Sequence, residues 1–491
     1  MNKKSIYNCL ITFLCLNCCN ILSAQSSLKY KELEIDTTFR QINFYDLETA
    51  KKFKNKFQTL DKDKLVIFHF GGSHVQPEIL TSETRDNFSK LFITGGRGMI
   101  FPYSVAKTYS SINYSVVHTG EWKYGKSFQF PPKIPLGVCG MAVETNENNA
   151  SIQFNFKKTL EKNDYKLLFL TEIDSLTSSF QVIIDSTKFE FNKIDFIKNG
   201  LKHYVQINYL GTINHIKIII CDSTELSKNF RFYGIDVELN QPNGIIYHSL
   251  GVGAAPFKSV LNISKLEEHA ALLRPDIVLL DFGTNDILYK NAIADDLIEQ
   301  IETTILKFRK INPDITIILT STQDLVYKKK SITAAIMFRN ILDSIAKNKK
   351  CMFWNWYDLS GGKGTISKWY SLGYAQKDNI HLTMIGYKLK GKLLFESFIN
   401  TLNKINENPE LNSFTVPLKK YENIDSNLQP KNPKTIIKIK ETAKSSKLYK
   451  VKKGDTLSGI SKKQKISVTR LKQLNGISND KISIGQILHI K

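Results

Sequence analysis

Four short apolar runs, separated by helical patterns, constrain the fold of this chain more than any other feature. The runs are Leu65–Phe70, Ile277–Phe282, Ile315–Leu319 and Met352–Trp356. Their length and their bounding turn residues are typical of buried parallel strands. Helical patterns cover Ser259–Leu273 and Ala292–Ile311, and the dipeptides Arg274-Pro275 and Asn312-Pro313 end them. The alternation predicts an α/β domain built on a parallel sheet.

A different pattern interrupts this rhythm between residues 150 and 240. Seven strand-like stretches follow one another about every ten residues, and several alternate apolar and polar positions. This spacing favours a small β-sandwich inserted into the α/β domain. The alternative is that the same strands extend a sheet of the α/β domain itself.

The N-terminus has the features of an export signal. Residues 1–24 combine Lys3 and Lys4 with a short apolar stretch and end in Ser23-Ala24, which predicts a secretory signal peptide. We therefore expect an exported protein of the periplasm, cell envelope or extracellular space, without a membrane span. Four of the seven cysteines lie in the signal, and the remaining Cys139, Cys221 and Cys351 do not describe a disulfide framework.

The 491 residues carry a formal charge of +22. It comes mostly from scattered lysines, so it reflects either compositional bias or attraction to an acidic polymer such as a cell-wall glycan. No recognition motif accompanies the charge, and nucleic acid is not an expected partner. Neither a metal-ligand spacing nor a phosphate-binding loop is evident, so no metal or cofactor is expected.

Polar residues with matching chemistry follow the predicted strands. Ser73 follows two glycines at the end of the first run, Asn285 lies in "GTND" after the second, and Asp378 and His381 lie in "DNIH". A serine nucleophile needs a histidine base, a carboxylate that orients the base, and donors for the developing oxyanion. Each motif alone is weak, but together and in this order they predict a serine hydrolase site.

These motifs resemble the SGNH (GDSL-type) hydrolase superfamily over roughly residues 64–399. The resemblance implies a flavodoxin-like three-layer α/β/α fold. It also implies that Ser73 is the nucleophile and an oxyanion donor, that Asn285 is a second donor, and that His381 and Asp378 are base and orienting acid. The remaining donor should be a glycine in "HSLGVGAAPF", for which Gly253 is the first choice and Ala254 the alternative.

Two residues flank Ser73 in the first motif. Gly72 stands where the family usually has aspartate, which should change the rigidity of the loop more than its chemistry. His74, next to the serine, is expected to point elsewhere.

Within the superfamily, the chain looks most like peptidoglycan O-acetylesterases and related polysaccharide O-acetyl enzymes. Those enzymes carry a β-sandwich similar to a carbohydrate-binding module between the first and second motifs. The implied hydrolase core therefore has two parts, residues 64–149 and 241–405, around the sandwich of residues 150–240. Residues 25–63 form a separate N-terminal segment.

The C-terminal region begins with a Lys-, Asn- and Pro-rich linker at residues 406–446. Residues 447–491 resemble a LysM domain, a small βααβ module that binds glycans containing N-acetylglucosamine. The resemblance assigns glycan binding to two loops, and the residues are Gly454, Asp455, Thr456, Leu457, Ile482 and Ile484.

Three functions fit the sequence. The first is an exported esterase that removes O-acetyl groups from a cell-wall glycan, with peptidoglycan as the simplest substrate. The second is an O-acetyltransferase that uses the same acyl-enzyme. The third is a glycan-binding protein whose hydrolase fold has lost activity. Protein partners and the exact acyl group are not indicated by the sequence.

Overall fold

The computed structural model describes residues 30–172, 179–191, 204–221, 229–411, 448–452, 454–464, 466–475, 482 and 487–490. The predicted signal peptide and nearly all of the predicted linker lie outside these residues. The chain divides into two units, Met1–Leu428 and Gln429–Lys491. Of the helices in the described residues, none is both long enough and apolar enough to cross a membrane.

The strands of the described residues, in chain order, are β1 (Ile42–Asn43), β2 (Lys64–Gly71), β3 (Gly96–Ile100), β4 (Tyr114–Thr119), β5 (Lys123–Lys126), β6 (Met141–Thr145), β7 (Ser151–Thr171), β8 (Phe180–Ile184), β9 (Thr187–Phe191), β10 (Tyr204–Ile220), β11 (Phe230–Leu239), β12 (Gly244–Gly251), β13 (Ile277–Asp281), β14 (Thr316–Thr320), β15 (Val326–Tyr327), β16 (Lys330–Ser331), β17 (Met352–Trp354), β18 (Leu448–Lys450) and β19 (Ile487–His489). The α-helices are α1 (Leu47–Gln58), α2 (Ile79–Leu91), α3 (Leu266–Leu273), α4 (Thr284–Ile287), α5 (Leu297–Ile311), α6 (Ala334–Asn348), α7 (Trp356–Leu359), α8 (Thr365–Ser371), α9 (Met384–Glu407), α10 (Leu457–Gln464) and α11 (Val468–Asn475).

The first sheet has the strand order β1-β17-β14-β13-β2-β12. Its pairs are parallel except for β1 with β17. The four apolar runs of the sequence are strands β2, β13, β14 and β17, so the predicted parallel sheet is confirmed. The N-terminal segment contributes β1 and α1 to this domain, although the predicted core began at residue 64. A two-residue strand is too short to leave a periodic signal.

Side chains of the first sheet alternate between two cores, which makes the domain three-layered. On β2, Val66, Phe68 and Phe70 face a core shared with α3, α5 and α6. Leu65 and Ile67 face the opposite core, shared with α1, α2 and α9. Helices therefore cover both faces, as the fold prediction required.

In the described residues, the second sheet has nine hydrogen-bonded strands, β3 to β11. Its organising strand is β7, which pairs with β10 along most of its length, with β4 at its start and with β11 at its end. The sheet therefore begins well before residue 150, the predicted boundary of the inserted unit. Strands β3 to β6 are short and lie among turn residues, so their period-2 pattern is weak in the sequence.

The C-terminal unit has the predicted βααβ order. Strands β18 and β19 pair antiparallel, and α10 and α11 lie between them in the sequence. Seven buried apolar side chains form a small core of its own.

Candidate active site

The turn after β2 lies where three strands end at the same level. Gly71 is the register partner of both Gly251 on β12 and Asp281 on β13. A Cβ atom at Gly71 would lie 2.4 Å from Val75 Cγ2 and 2.7 Å from the carbonyl oxygen of Asp281, so the chain can fold back here only with glycine. Ser73 follows in this turn, at the carboxyl edge of the sheet, where open α/β sheets place their sites.

Ser73, His381 and Asp378 form a chain of two short hydrogen bonds. Ser73 Oγ lies 2.8 Å from His381 Nε2, and His381 Nδ1 lies 2.7 Å from Asp378 Oδ2. The other carboxylate oxygen, Asp378 Oδ1, accepts the backbone N–H groups of Ile380 and His381 at 2.9 and 3.0 Å. The tight turn of "DNIH" thus fixes the carboxylate, and the carboxylate in turn fixes the imidazole ring.

This arrangement determines which proton His381 can move. Burial raises the pKa of the Asp378 carboxyl, but the hydrogen bonds from the His381 ring and the two backbone N–H groups outweigh burial and hold that pKa below its usual value. The carboxylate is therefore ionised and accepts a proton from Nδ1. Nε2 is left as an acceptor for the hydroxyl proton of Ser73.

Asn285 lies beside the serine turn. Its Nδ2 donates to the carbonyl oxygen of Ala255 at 3.1 Å, and it would lie 3.1 Å from a Cβ atom at Gly72. A side-chain amide carries two N–H donors, so one remains for an oxyanion near Ser73. At this distance, a side chain at position 72 would contact the amide of Asn285.

The backbone N–H of Gly253, the predicted oxyanion donor, already has a hydrogen-bond partner. Its backbone N–H donates to Gln76 Oε1, and the fully buried Gln76 also donates through Nε2 to the carbonyl oxygen of Tyr109 at 2.5 Å. Ala254 follows with φ of +65°, and its N–H has no partner in the part of the chain that the structure describes. The N–H of Gly253 is therefore engaged, which leaves Ala254, the alternative, as the candidate backbone donor.

Asp286, the last residue of "GTND", supports the loop of Asn285. Its carboxylate accepts the backbone N–H of Phe257 at 2.9 Å and that of Gly283 at 3.1 Å. Burial raises the pKa of Asp286 to about 6, although these hydrogen bonds oppose the rise. No role for Asp286 followed from the sequence. Its place inside a four-residue motif was the available signal.

His74 does not point away from the site, contrary to the sequence interpretation. Its ring centroid lies 5.2 Å from that of His381, and its Nδ1 lies 2.9 Å from the hydroxyl of Tyr387. Burial lowers the pKa of His74 well below its usual value, and the neighbouring His381 lowers it further. A neutral imidazole therefore packs behind the His381 ring. The position of the His74 ring depends on a tertiary contact, because its partner Tyr387 lies on the distant helix α9.

A buried ion pair anchors the end of β13. Lys390 Nζ on α9 lies 2.8 Å from Asp281 Oδ2, and His69 Nε2 lies 3.4 Å from the same oxygen. The side chains of Lys390 and His69 are each 1% exposed, and that of Asp281 is 5% exposed. The pair joins the strand that leads to Asn285 with the helix that follows His381.

In the C-terminal unit, the predicted binding loop is held by its own side chains. Gly454 has φ of +90°, which favours glycine. Asp455 Oδ2 accepts the hydroxyl of Tyr449 and the backbone N–H of Lys452, both at 2.8 Å. Thr456 Oγ1 accepts the N–H of Gly459 at 3.1 Å, as a helix cap does. These side chains shape the loop, and the exposed Thr456 leaves room for a ligand beside it.

The other predicted binding residues differ in position. Leu457 is 3% exposed and belongs to the core of the unit, so its side chain cannot face a glycan. Ile482 is half-buried and packs against this core. Ile484 lies outside the described residues.

Comparison with known proteins covers both units. The LysM domain model matches residues 449–491. The C-terminal unit is a LysM domain. Over 43 residues, 9% of this chain, the sequence is 49% identical to the probable peptidoglycan endopeptidase LytE of Bacillus subtilis (strain 168). That match spans 13% of the length of LytE, so the likeness concerns the LysM domain alone.

A solved structure of a peptidoglycan O-acetylesterase is similar to most of the chain. It superposes with a TM-score of 0.61 and 17% identity, covering 74% of this chain and 99% of the esterase. At that identity, the likeness establishes a shared fold. The α/β part of the chain thus has the SGNH-type hydrolase fold that the motifs predicted.

Proposed function

We propose that this chain is an exported serine esterase that removes O-acetyl groups from a cell-wall glycan, with peptidoglycan as its substrate and the LysM domain as its tether. The hydrogen-bonded chain of Ser73, His381 and Asp378 beside Asn285 carries the proposal. LysM domains bind peptidoglycan- and chitin-type glycans, and a tether raises the concentration of a polymeric substrate near the site. The predicted signal peptide supplies the export that such a substrate requires.

The chemistry follows from the geometry. Ser73 Oγ attacks the acetyl carbonyl and loses its proton to His381 Nε2, while Asp378 stabilises the imidazolium. The N–H of Ser73, the N–H of Ala254 and Nδ2 of Asn285 donate to the oxyanion. His381 then gives the proton to the departing sugar oxygen, which leaves acetyl on Ser73. Water, activated by His381, releases acetate and restores the serine.

Two aromatic rings near the catalytic loops support a sugar substrate. Tyr289 is 68% exposed and lies four residues after Asn285. Its ring centroid is 5.5 Å from that of Tyr327, whose neighbour Val326 donates its N–H to the carbonyl oxygen of Asn379 at 3.1 Å. Exposed rings suit the apolar faces of sugars, because they offer contact area at low entropic cost.

The deciding experiment measures acetate release from O-acetylated peptidoglycan by the mature protein, by Ser73→Ala and by Ser115→Ala, an exposed serine on β4. We expect release by the wild type and the control and none by Ser73→Ala. Equal release by all three proteins would reject the assignment of Ser73.

Adding an acceptor oligosaccharide to the same reaction separates esterase from transferase. An esterase continues to release free acetate, whereas a transferase moves acetyl to the acceptor and releases less. Absence of release, of transfer and of labelling by a serine-reactive phosphonate, with wall binding retained, would instead indicate a glycan-binding protein.

A further inference from the structure

A cavity of about 610 Å³ lies away from the catalytic residues, between helix α2 and strand β7. Arg85 and Lys90 line it from the helix, and Phe156, Lys157 and Lys158 line it from the strand. Neither Ser73, His381 nor Asn285 reaches it. The cavity therefore lies between the three-layer domain and the second sheet, apart from the candidate active site.

Arg85 is the unusual group in this cavity. Its Nε donates to the carbonyl oxygen of Tyr247 at 3.3 Å, but its Nη2 is buried without a hydrogen-bond partner among the described residues. The second guanidinium nearby, Arg97, is already paired with Glu78. Burial lowers the pKa of Arg85, and the charge of Arg97 lowers it further. The carboxylates of Glu78 and Asp86 raise the pKa of Arg85 but do not outweigh burial, and Nη2 still lacks an acceptor. A buried cation that is only partly compensated is costly, which indicates that an anion completes the site.

The remaining lining selects the kind of anion. Five basic side chains line the cavity against two acidic ones, Asp86 and Glu161. The two carboxylates favour a singly charged anion over a dianionic phosphate. The half-buried Phe156 and Leu160 add an apolar wall against which a sugar ring can pack. A guanidinium fork matches a carboxylate in a bidentate geometry.

We propose that this cavity binds a carboxylate-bearing sugar, with Arg85 as the residue that holds the carboxylate. That the ligand is a sugar rests on the proposed function, whereas its negative charge rests on Arg85 itself. Lys157 and Lys158 then act from the open side as weaker, solvated charges.

The cavity is mechanically connected to the serine turn. Asn113, at one end of the cavity, donates through Nδ2 to Glu78 Oε2 at 2.9 Å, and Ile112 donates its N–H to the carbonyl oxygen of Pro77 at 3.0 Å. Pro77 and Glu78 lie between Ser73 and α2. A polymeric glycan held at Arg85 is therefore anchored on the same segment that carries the nucleophile.

Isothermal titration of the full chain in a Ser73→Ala background tests the site without turnover. The probes are the disaccharide of N-acetylglucosamine and N-acetylmuramic acid, a disaccharide of glucuronic acid and N-acetylglucosamine, neutral chitobiose, and glycerol 3-phosphate. We expect Arg85→Met to weaken binding of at least one acidic disaccharide about tenfold or more, the loss of a charged hydrogen-bonded contact. Chitobiose binding, which the LysM domain supplies, should not change.

Lys51→Met, an exposed lysine on α1 outside the cavity, is the matched control, and Lys158→Met covers the case in which Arg85→Met fails to fold. Lys158→Met should weaken the same acidic disaccharide about two- to threefold, as a solvated charge does. Preference between the two acidic disaccharides identifies the source of the carboxylate. Two results would overturn the proposal. One is that only the binding of glycerol 3-phosphate depends on Arg85. The other is that the acidic disaccharides bind equally well to the wild type, Arg85→Met and Lys158→Met. Because binding is measured directly, its failure is distinct from a failure of acetate release.

Discussion

The edge of the first sheet and the cavity beside α2 differ in whether their polar groups already have hydrogen-bond partners. At the edge, Ser73, His381 and Asp378 are already joined by hydrogen bonds of 2.7 to 2.8 Å. In the cavity, the Arg85 guanidinium keeps one buried nitrogen unpaired. In the proposed active site, the reacting groups are assembled before a substrate arrives, whereas the proposed binding cavity leaves one partner to its ligand. Substitution of the residues at the edge should therefore lower activity, whereas substitution of Arg85 in the cavity should raise stability.

The largest expected effect is on catalysis at the edge. His381→Ala should lower kcat for acetate release roughly 10⁴-fold, because no other described group can accept the Ser73 proton. His118→Ala, an exposed histidine on β4, should leave kcat unchanged. The measurement is steady-state acetate release at matched protein concentration. Retention of more than a tenth of the activity would mean that another base serves Ser73.

Asn285→Ala comes next. Removal of one oxyanion donor should lower kcat about 10²- to 10³-fold while KM changes little, since the donor acts mainly in the transition state. Asn240→Ala, a turn residue of the second sheet, is the comparison variant. An increase of KM at constant kcat would instead assign Asn285 to ground-state binding.

The pH dependence of stability tests the support of the Asn285 loop. The pKa of Asp286 is raised from 3.8 to about 6, so between these values the folded state binds more protons than the unfolded state. Its contribution to the free energy of unfolding is complete at low pH and falls as pH rises to about 6, by roughly 2–3 kcal/mol. Denaturant unfolding at several pH values should show this slope flattened in Asp286→Asn.

The exposed Asp295→Asn, on the same stretch of chain, should keep the wild-type slope of stability against pH. An unchanged slope in Asp286→Asn would mean that the backbone N–H groups hold this carboxyl ionised in the folded protein. Its raised pKa would then be wrong.

The smallest effect is expected in the cavity, where a substitution should raise stability. Arg85→Met removes a buried charge that its neighbours compensate only in part, and should raise the free energy of unfolding by about 1 kcal/mol. Lys51→Met should leave it unchanged. A thermal or denaturant transition without added ligand measures both. A loss of stability in Arg85→Met would make the bond to the Tyr247 carbonyl structural and remove the contrast between the two sites.

Sequence patterns predicted the parts of the fold that rest on long apolar runs. Strands β2, β13 and β14 match their runs to within one residue at each end, because a strand buried on both faces needs continuous apolar residues. Strand β17 covers the first three residues of its run, and Trp356 begins α7. The two-residue β1 and the short strands β3 to β6 depend on tertiary pairing and left little periodic signal. The start of the second sheet was therefore placed too late.

At the site, motifs located Ser73, Asn285, Asp378 and His381, since their chemistry is tied to residue type and order. Gly253 illustrates the limit of this reasoning. A positive φ usually favours glycine, but here Ala254 adopts it, and the Gln76 side chain takes the N–H of Gly253. Contacts made by a buried glutamine from another loop have no trace in local sequence. The same holds for the ring of His74 behind His381.

The close packing of Gly251 against Gln76 has a consequence for when the proposed active site is completed during folding. A Cβ atom at Gly251 would lie 2.2 Å from the backbone nitrogen of Gln76, so the end of β12 fits tightly against the serine turn. Residues 77–250, which include the whole second sheet, separate these two partners in the chain. Closing so long a loop is slow and follows local folding. An emerging or half-folded chain therefore holds Ser73 without its neighbouring loop, and the proposed hydrolysis begins only when the last strands have joined.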